Sequence, residues 1–211
     1  MKVKIKICGI TRKEDALLAS KLGAWAVGFI FVKNTPRYIS PENATEIIKF
    51  LPENLQKIGV FADSSLEEIK NIADKTKITK IQLHDEESPE FCKELANLTG
   101  KEIIKAIRVK SYEDLKLLPQ YKNKVSFILL DSFSENEAGG TGKTFDWEIA
   151  KKAKEYDIPI ILAGGLNSDN IKQAFDLVQP YALDISSGVE AKKGIKDSEK
   201  LKKLFTISSL Q

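Results

Sequence analysis

The chain has 211 residues, a length that suits one large domain or two small ones and allows a substantial hydrophobic core. Its 33 basic and 30 acidic residues give a formal charge of +3, and 42% of the residues are hydrophobic, which argues against a dedicated nucleic-acid binder or a disordered tail. The longest apolar stretch, Ala24 to Val32, is much shorter than the roughly 20 residues of a membrane-spanning helix. No secretory signal pattern opens the chain, and we expect a cytoplasmic location.

Eight short runs rich in Val, Ile, Leu and Phe recur along the chain, and each precedes a segment with helical periodicity. The predicted strands are Val3 to Ile7, Ala26 to Phe31, Lys57 to Phe61, Lys80 to Leu83, Glu102 to Ile107, Val125 to Leu130, Pro159 to Ala163 and Ala182 to Ile185. The predicted helices are Lys13 to Leu22, Pro41 to Leu51, Ser65 to Lys75, Pro89 to Leu98, Tyr112 to Leu118, Trp147 to Tyr156, Ser168 to Leu177 and Asp197 to Ser208.

Eight strand–helix units of about 26 residues each predict a single (β/α)₈ TIM barrel over residues 1–211, near the lower size limit of that fold. Strands such as residues 158–163 are continuously apolar, as expected for a parallel sheet covered by helices. The alternative is a doubly wound open sheet, which usually carries a glycine-rich phosphate turn after its first strand. Here that turn reads Cys8-Gly9-Ile10-Thr11, so the barrel is favoured.

The active site of such a barrel lies at the carboxyl ends of the strands. Two neighbouring loops there consist of small residues: Gly164-Gly165 follows strand seven, and Ser186-Ser187-Gly188 follows strand eight. Loops at these two places frequently bind phosphate through backbone N–H groups. The structural alternative is a pair of tight turns, and we interpret the two loops as a phosphate site.

Cys8 and Asp131 end strands one and six, which places a thiol and a carboxyl on different sides of one barrel mouth. A thiolate can act as a general base, and a protonated carboxyl can act as a general acid. The alternatives are a buried apolar role for Cys8 and a helix cap or loop ion pair for Asp131. The other thiol, Cys92, lies in a predicted outer helix and is expected to be inert.

Arg37 and His84 also follow strands, and their roles stay open at this level. Arg37 suits a two-pronged contact with a substrate carboxylate, or lies solvated in its loop. His84 is either a substrate contact or a structural histidine, and as the only histidine it excludes metal sites that need two imidazoles. Residues Ser132 to Thr144 are interpreted as a mobile lid, because their glycine spacing does not match a nucleotide-binding loop.

Several short motifs taken together resemble the phosphoribosylanthranilate isomerase family. The matching segments run in order from about residue 4 to Asp197: KICGIT at 6–11, PRY at 36–38, GVF at 59–61, QLH at 82–84, LDS at 130–132, GGTGKTFDW at 139–147, LAGGLN at 162–167 and DISSGVE at 184–190. The start, the glycine-rich segment and the ending are specific to that family, and the resemblance covers nearly the whole chain.

The resemblance implies a metal-free and cofactor-free Amadori rearrangement of a small phosphorylated substrate, N-(5-phosphoribosyl)anthranilate, in tryptophan biosynthesis. It assigns Asp131 as the general acid that opens the ribose ring and Cys8 as the general base at C2. Arg37 would bind the anthranilate carboxylate, and the two small-residue loops would bind the phosphate. His84 and Asp184 would contact the substrate. The family usually has glycine after the histidine, whereas this chain has Asp85.

Two other activities and one binding role are the alternatives to this reaction. A histidine-pathway aminoaldose isomerase performs the same rearrangement with two aspartates, and Cys8 argues against it. A flavin-dependent oxidoreductase would use the same phosphate loops, and a non-catalytic phosphate-binding barrel would leave Cys8 and Asp131 without a reaction. We expect no nucleic-acid or membrane partner, and the sequence allows a monomer or a homodimer.

Overall fold

The protein is described from a computed structural model, and the residues described are 3–132 and 147–208. Most of the predicted lid, Ser132 to Thr144, lies outside the described residues, and so does the glycine-rich motif up to Asp146.

Eight parallel strands close into a barrel in which each strand pairs with the next and the last pairs with the first. The prediction of a TIM barrel is therefore confirmed. The strands are β1 Ile5–Ile7, β2 Ala26–Ile30, β3 Gln56–Phe61, β4 Lys80–Leu83, β5 Glu102–Val109, β6 Phe127–Ser132, β7 Ile160–Leu162 and β8 Ala182–Ile185. Closure joins β1 to β8 with Lys6 directly beside Asp184.

Helices surround the barrel and follow the strands in the predicted order. They are α1 Lys13–Lys21, α2 Pro41–Ile48, α3 Leu66–Thr76, α4 Pro89–Thr99, α5 Leu118–Tyr121, α6 Trp147–Ala153, α7 Ile171–Val178 and α8 Ser198–Ser208. Serine caps begin α2 and α4: the Ser40 hydroxyl accepts from the Asn43 N–H, and the Ser88 hydroxyl accepts from the Phe91 N–H. Each cap precedes a proline at the first helical position, as the sequence predicts.

The structure departs from several predicted helices: α2 ends at Ile48 rather than Leu51, and the end of the predicted sixth helix is a 3₁₀ turn, Lys154–Tyr156. The fifth segment is mostly a 3₁₀ helix, Tyr112–Leu117, and its α-helical part is the single turn of α5. Proline at position 119 has no N–H to donate within a longer helix. The seventh helix begins at Ile171, because the Asn167 and Asn170 side chains organise a turn before it.

An antiparallel hairpin, absent from the predicted elements, follows the eighth strand. A short 3₁₀ turn, Ser187–Val189, leads into β9 Glu190–Lys192, which pairs with β10 Ile195–Lys196. This hairpin lies at the barrel mouth, where its Gly194 carbonyl oxygen accepts from the Thr11 hydroxyl after β1 and its Glu190 carboxylate accepts from Arg37 after β2.

Strand residues alternate between two apolar layers. Isoleucines such as Ile5 and Ile7 face outward into the main core beneath the helices. Residues of the other parity, including Ile104, Phe127 and Leu129, fill the barrel interior. No helix among residues 3–132 and 147–208 is long and apolar enough to cross a membrane.

Candidate active site

The mouth of the barrel holds a cavity of about 270 Å³. Nine of the sequence-predicted site residues line it: Cys8, Arg37, His84, Asp131, Gly164, Gly165, Asp184, Ser186 and Ser187. Apolar side chains of the barrel interior, including Val60 and Leu129, form the cavity floor. The predicted site residues thus come together from six different strands or the loops behind them.

Gly188 is the one predicted residue that does not line the cavity. A β-carbon at this position would lie 2.0 Å from the Leu166 carbonyl oxygen. Its lack of a side chain lets the loop after β8 pack directly against the loop after β7. Gly188 therefore keeps the two small-residue loops adjacent.

A more open groove of about 510 Å³ lies beside this mouth, between the loop after β2 and helix α3. Phe31, Tyr38 and Glu68 are among its lining residues. It contains none of the predicted site residues, so the chemistry is concentrated in the smaller cavity.

The Cys8 thiol lies almost completely buried at the end of β1. A β-carbon at Gly28 would lie 2.8 Å from the Cys8 Sγ and 3.1 Å from the Lys6 Cε, so the thiol and the lysine stem pack side by side against the same glycine. Burial raises the pKa of Cys8 above its ordinary value, and the Lys6 ammonium opposes that increase.

Lys6 is fully buried inside the barrel and has two polar partners. Its Nζ donates to the Asp184 Oδ2 at 2.7 Å and to the Gln82 Oε1 at 2.6 Å. Burial alone would lower the pKa of Lys6, but attraction to Asp184 and Cys8 outweighs that effect and raises it. Lys6 therefore carries a buried positive charge directly below the cavity.

Gln82 connects the buried Lys6 ammonium to His84 at the mouth. Because an ammonium has only donors, the Gln82 carbonyl oxygen faces Lys6 and its NH₂ group faces the His84 Nδ1 at 3.4 Å. With Nδ1 as the acceptor, neutral His84 carries its proton on Nε2, which lies 3.4 Å from the Asp131 Oδ2. Both contacts of His84 are longer than a normal hydrogen bond.

Arg37 reaches the mouth from the loop after β2 and is fixed by the hairpin. Its Nε and Nη2 donate to the two carboxylate oxygens of Glu190 at 2.9 and 2.8 Å. Lys196 donates to the same carboxylate at 3.0 Å. Burial acts to raise the pKa of Glu190, but the two cations outweigh it and lower the pKa. The Nη1 group of Arg37 makes no such contact with a described residue, and Arg37 lines the cavity.

The two small-residue loops present backbone and one orphaned hydroxyl to the cavity. Gly164 and Gly165 have φ angles of 87° and 65°, a conformation that favours glycine and turns this backbone toward the mouth. The Ser186 Oγ is buried and has no hydrogen-bond partner among the described residues. A buried hydroxyl without a partner is unfavourable, and a bound ligand oxygen would satisfy it.

Asp85 stands where the family usually has glycine. It lies in the loop after β4, which contacts with Lys105 and Glu87 hold in place. The buried Lys105 donates to the Asp85 carbonyl oxygen and to the Glu87 carboxylate, and that carboxylate also accepts from the Asp85 N–H at 3.1 Å. These contacts use the Asp85 backbone, so the loop after β4 is held without glycine.

Sequence reasoning missed Lys6, Gln82 and Glu190 as parts of the site. A usable signal existed for Lys6: it alternates with Ile5 and Ile7, so a strand that faces its isoleucines outward must face this lysine into the barrel. Glu190 gave no comparable signal, because its contact with Arg37 depends on the hairpin.

The cavity can carry out proton transfer at two separate points of a phosphorylated molecule. A thiol and a carboxyl come from opposite strands, and donors for an anion lie beside them. Among the described residues, no group of three His, Cys, Asp or Glu side chains is arranged to hold a metal ion.

Comparison with known proteins points to one family. The family model described as N-(5'-phosphoribosyl)anthranilate (PRA) isomerase matches residues 5–206. A relative of that name from a Geobacter species is 48% identical over 200 residues, which cover 95% of each chain.

Two solved structures are similar over nearly the whole chain. Phosphoribosyl anthranilate isomerase from Thermotoga maritima is 40% identical and superposes with a TM-score of 0.91, covering 98% of both chains. A phosphoribosyl anthranilate isomerase in complex with reduced 1-(o-carboxyphenylamino)-1-deoxyribulose 5-phosphate is 37% identical, with a TM-score of 0.88 and the same coverage.

Proposed function

The chain belongs to the N-(5'-phosphoribosyl)anthranilate isomerase family, and we propose that Cys8 is the general base and Asp131 the general acid of its reaction. That reaction is the Amadori rearrangement of N-(5-phosphoribosyl)anthranilate to 1-(2-carboxyphenylamino)-1-deoxyribulose 5-phosphate, a step of tryptophan biosynthesis. One observation carries the proposal: the two groups line a single cavity from different strands, beside the two small-residue loops.

The phosphate and carboxylate ends of the substrate orient it between these groups. In the proposed binding mode, the phosphate accepts hydrogen bonds from the loops at 164–165 and 186–188, including the Ser186 hydroxyl. The anthranilate carboxylate pairs with the free side of the Arg37 guanidinium, while Glu190 holds its other side. His84 and Asp184 contact the part of the substrate between these ends.

Two proton transfers then follow. Asp131 donates a proton to the ribose ring oxygen, the ring opens, and a Schiff base forms between C1 and the aryl nitrogen. Cys8, as thiolate, removes the proton from C2 to give an enolamine, which tautomerises to the ketone. The isomerisation has no net proton change, so the proton gained by Cys8 and the one lost by Asp131 must be exchanged before the next turnover.

We also infer that residues 1–211 form one catalytic domain that acts in the cytoplasm without a cofactor. The partner is a small phosphorylated substrate, and the protein works as a monomer or a homodimer. A nucleic-acid or membrane partner is not expected from its near-balanced charge and its short apolar segments.

The roles of the two residues are tested by following the loss of anthranilate fluorescence on phosphoribosylanthranilate generated in situ. Cys8→Ala and Asp131→Asn are each expected to reduce kcat by roughly 10²-fold or more, the usual contribution of a positioned acid or base. Matched controls are Cys92→Ala, which removes the buried thiol of α4, and Asp63→Asn, which alters an exposed carboxyl in the loop after β3.

The controls are expected to retain wild-type turnover within a few-fold. Near-wild-type turnover of Cys8→Ala or Asp131→Asn would overturn the role of that residue. A folded wild-type protein that leaves the fluorescence unchanged would overturn the substrate, and the histidine-pathway aminoaldose would then be tested in its place.

A further inference from the structure

A buried lysine lies directly beneath the proposed base. Lys6 and Cys8 share the inward face of β1, two residues apart, and both pack against Gly28. A lysine inside a barrel interior is costly unless its charge is paired and its hydrogen bonds are satisfied. Here Asp184 and Gln82 meet that requirement, so the ammonium is held in one place.

We propose that Lys6 is a positioning residue for the reaction: its ammonium stabilises the Cys8 thiolate that removes the C2 proton. The inference rests on the proposed role of Cys8 as the base. A thiol in an apolar pocket strongly favours its neutral form, and an adjacent fixed cation is the ordinary means of opposing that preference.

Four charged groups face the Cys8 thiol from the elements around it. Lys6 contributes from β1, Asp184 from β8, Lys196 from β10 and Arg37 from the loop after β2. Lys196 and Arg37 share the Glu190 carboxylate, and Arg37 is reserved for the substrate carboxylate. Lys6 is the cation that shares β1 with Cys8 and packs with the thiol against Gly28, whereas the equally buried Lys196 is paired with Glu190.

Asp184 makes it possible to distinguish an electrostatic role of Lys6 from a purely structural one. The carboxylate fixes Lys6 but opposes ionisation of Cys8, because like charges repel. Removal of the lysine charge and removal of the aspartate charge should therefore shift Cys8 ionisation in opposite directions. A lysine that only supports packing would give no such reversal of sign.

The test is a pH titration of the ultraviolet thiolate absorbance of the full-length protein, with Cys8→Ser as the blank. Burial raises the pKa of Cys92 to about 12, so this thiol lies above the titration range. Lys6→Met is expected to move the Cys8 midpoint upward by about one pH unit or more, and Asp184→Asn to move it downward. Lys57→Met is the matched control, because that buried lysine of β3 caps carbonyls at residues 52 and 53, away from the mouth.

An unchanged midpoint in folded Lys6→Met, or shifts of the same sign in Lys6→Met and Asp184→Asn, would overturn the inference. If Lys6→Met does not fold, the double variant Lys6→Met/Asp184→Asn removes both charges and leaves neither unpaired. Its midpoint should lie above that of Asp184→Asn alone, and equal midpoints would overturn the inference.

The pH profile of turnover separates this inference from the proposed function. Lys6→Met should move the alkaline rise of kcat in parallel with the thiol midpoint and change KM little. If Cys8→Ala keeps wild-type turnover, the role of Cys8 as base fails, yet the titration still reports whether Lys6 controls its ionisation.

Discussion

The two ends of the barrel interior are built from the same strands, but one end is lined by aromatic side chains and the other by reactive polar ones. At the amino-terminal end, Phe127 lies with its ring centroid 4.8 Å from that of Tyr181 and 6.4 Å from that of Trp25. At the carboxyl-terminal end, the same inward face presents Cys8 and Asp131 to the cavity.

Between the two ends lies one polar layer made of Lys6, Gln82 and Asp184. Each of its members has a partner within the layer, while the Asp184 Oδ1 is buried without a partner among the described residues. The difference shows how a small barrel separates tasks along its axis: the closed end supplies stability, and the open end carries charges that are useful only when they are precisely oriented.

The largest expected effect is on stability and comes from the closed end. Phe127→Ala removes a buried ring among two other aromatic rings and should lower the free energy of unfolding by about 3–5 kcal/mol. Turnover per folded molecule should stay within a few-fold of wild type. Denaturant unfolding and kcat measure the two quantities, and Phe50→Ala at an exposed position is the control. A large fall in kcat of folded Phe127→Ala would contradict the assignment of stability to the closed end and catalysis to the open end.

A substitution beside the polar layer of Lys6, Gln82 and Asp184 should lower both the free energy of unfolding and kcat. Gly28→Ala places a methyl group 2.8 Å from the Cys8 Sγ, which should cost about 1–3 kcal/mol of stability. Displacement of the thiol should also lower kcat by about tenfold or more. In a double-mutant cycle, Cys8→Ala should relieve part of the stability loss, because it removes the atom that clashes. Additive losses would show that the strain lies elsewhere.

The smallest effect is expected at the rim of the open end. Ser186→Ala removes a hydroxyl that has no partner among the described residues, so the unfolding free energy should stay unchanged or rise slightly. The proposed hydrogen bond to the substrate phosphate would be lost, so KM should rise about tenfold with little change in kcat. Ser64→Ala in the loop after β3 is the control. An unchanged KM in Ser186→Ala would remove that hydroxyl from the phosphate site.

The barrel and most of the site were predictable because both depend on local sequence signals. Runs of aliphatic residues gave the eight strands, and the strand ends named Cys8 and Asp131 as residues that share one mouth. The small-residue loops were found for the same reason, since fold topology places loops seven and eight side by side.

The remaining features depend on contacts between distant parts of the chain. The hairpin of β9 and β10 has weak local signals, and it is held by the Glu190 carboxylate, which pairs with Arg37 across the mouth and with Lys196 of the hairpin itself. The pairing of Lys6 with Asp184 spans 178 positions and is specified by barrel closure rather than by spacing. The orientation of the Gln82 carbonyl could not be predicted from the sequence either, because it follows from the buried ammonium beside it.

The two ends of the chain are joined at the mouth, and this sets the order in which the molecule can be completed. The Thr11 hydroxyl donates to the Gly194 carbonyl oxygen, and the Lys196 N–H donates to the Asp15 carboxylate at 3.0 Å. During synthesis, Cys8 leaves the ribosome early, but its neighbours on β8 and β10 follow only after more than 170 further residues. A nascent chain can therefore form strands and helices progressively, whereas a competent catalytic centre arises only after residues 184–196 have been synthesised.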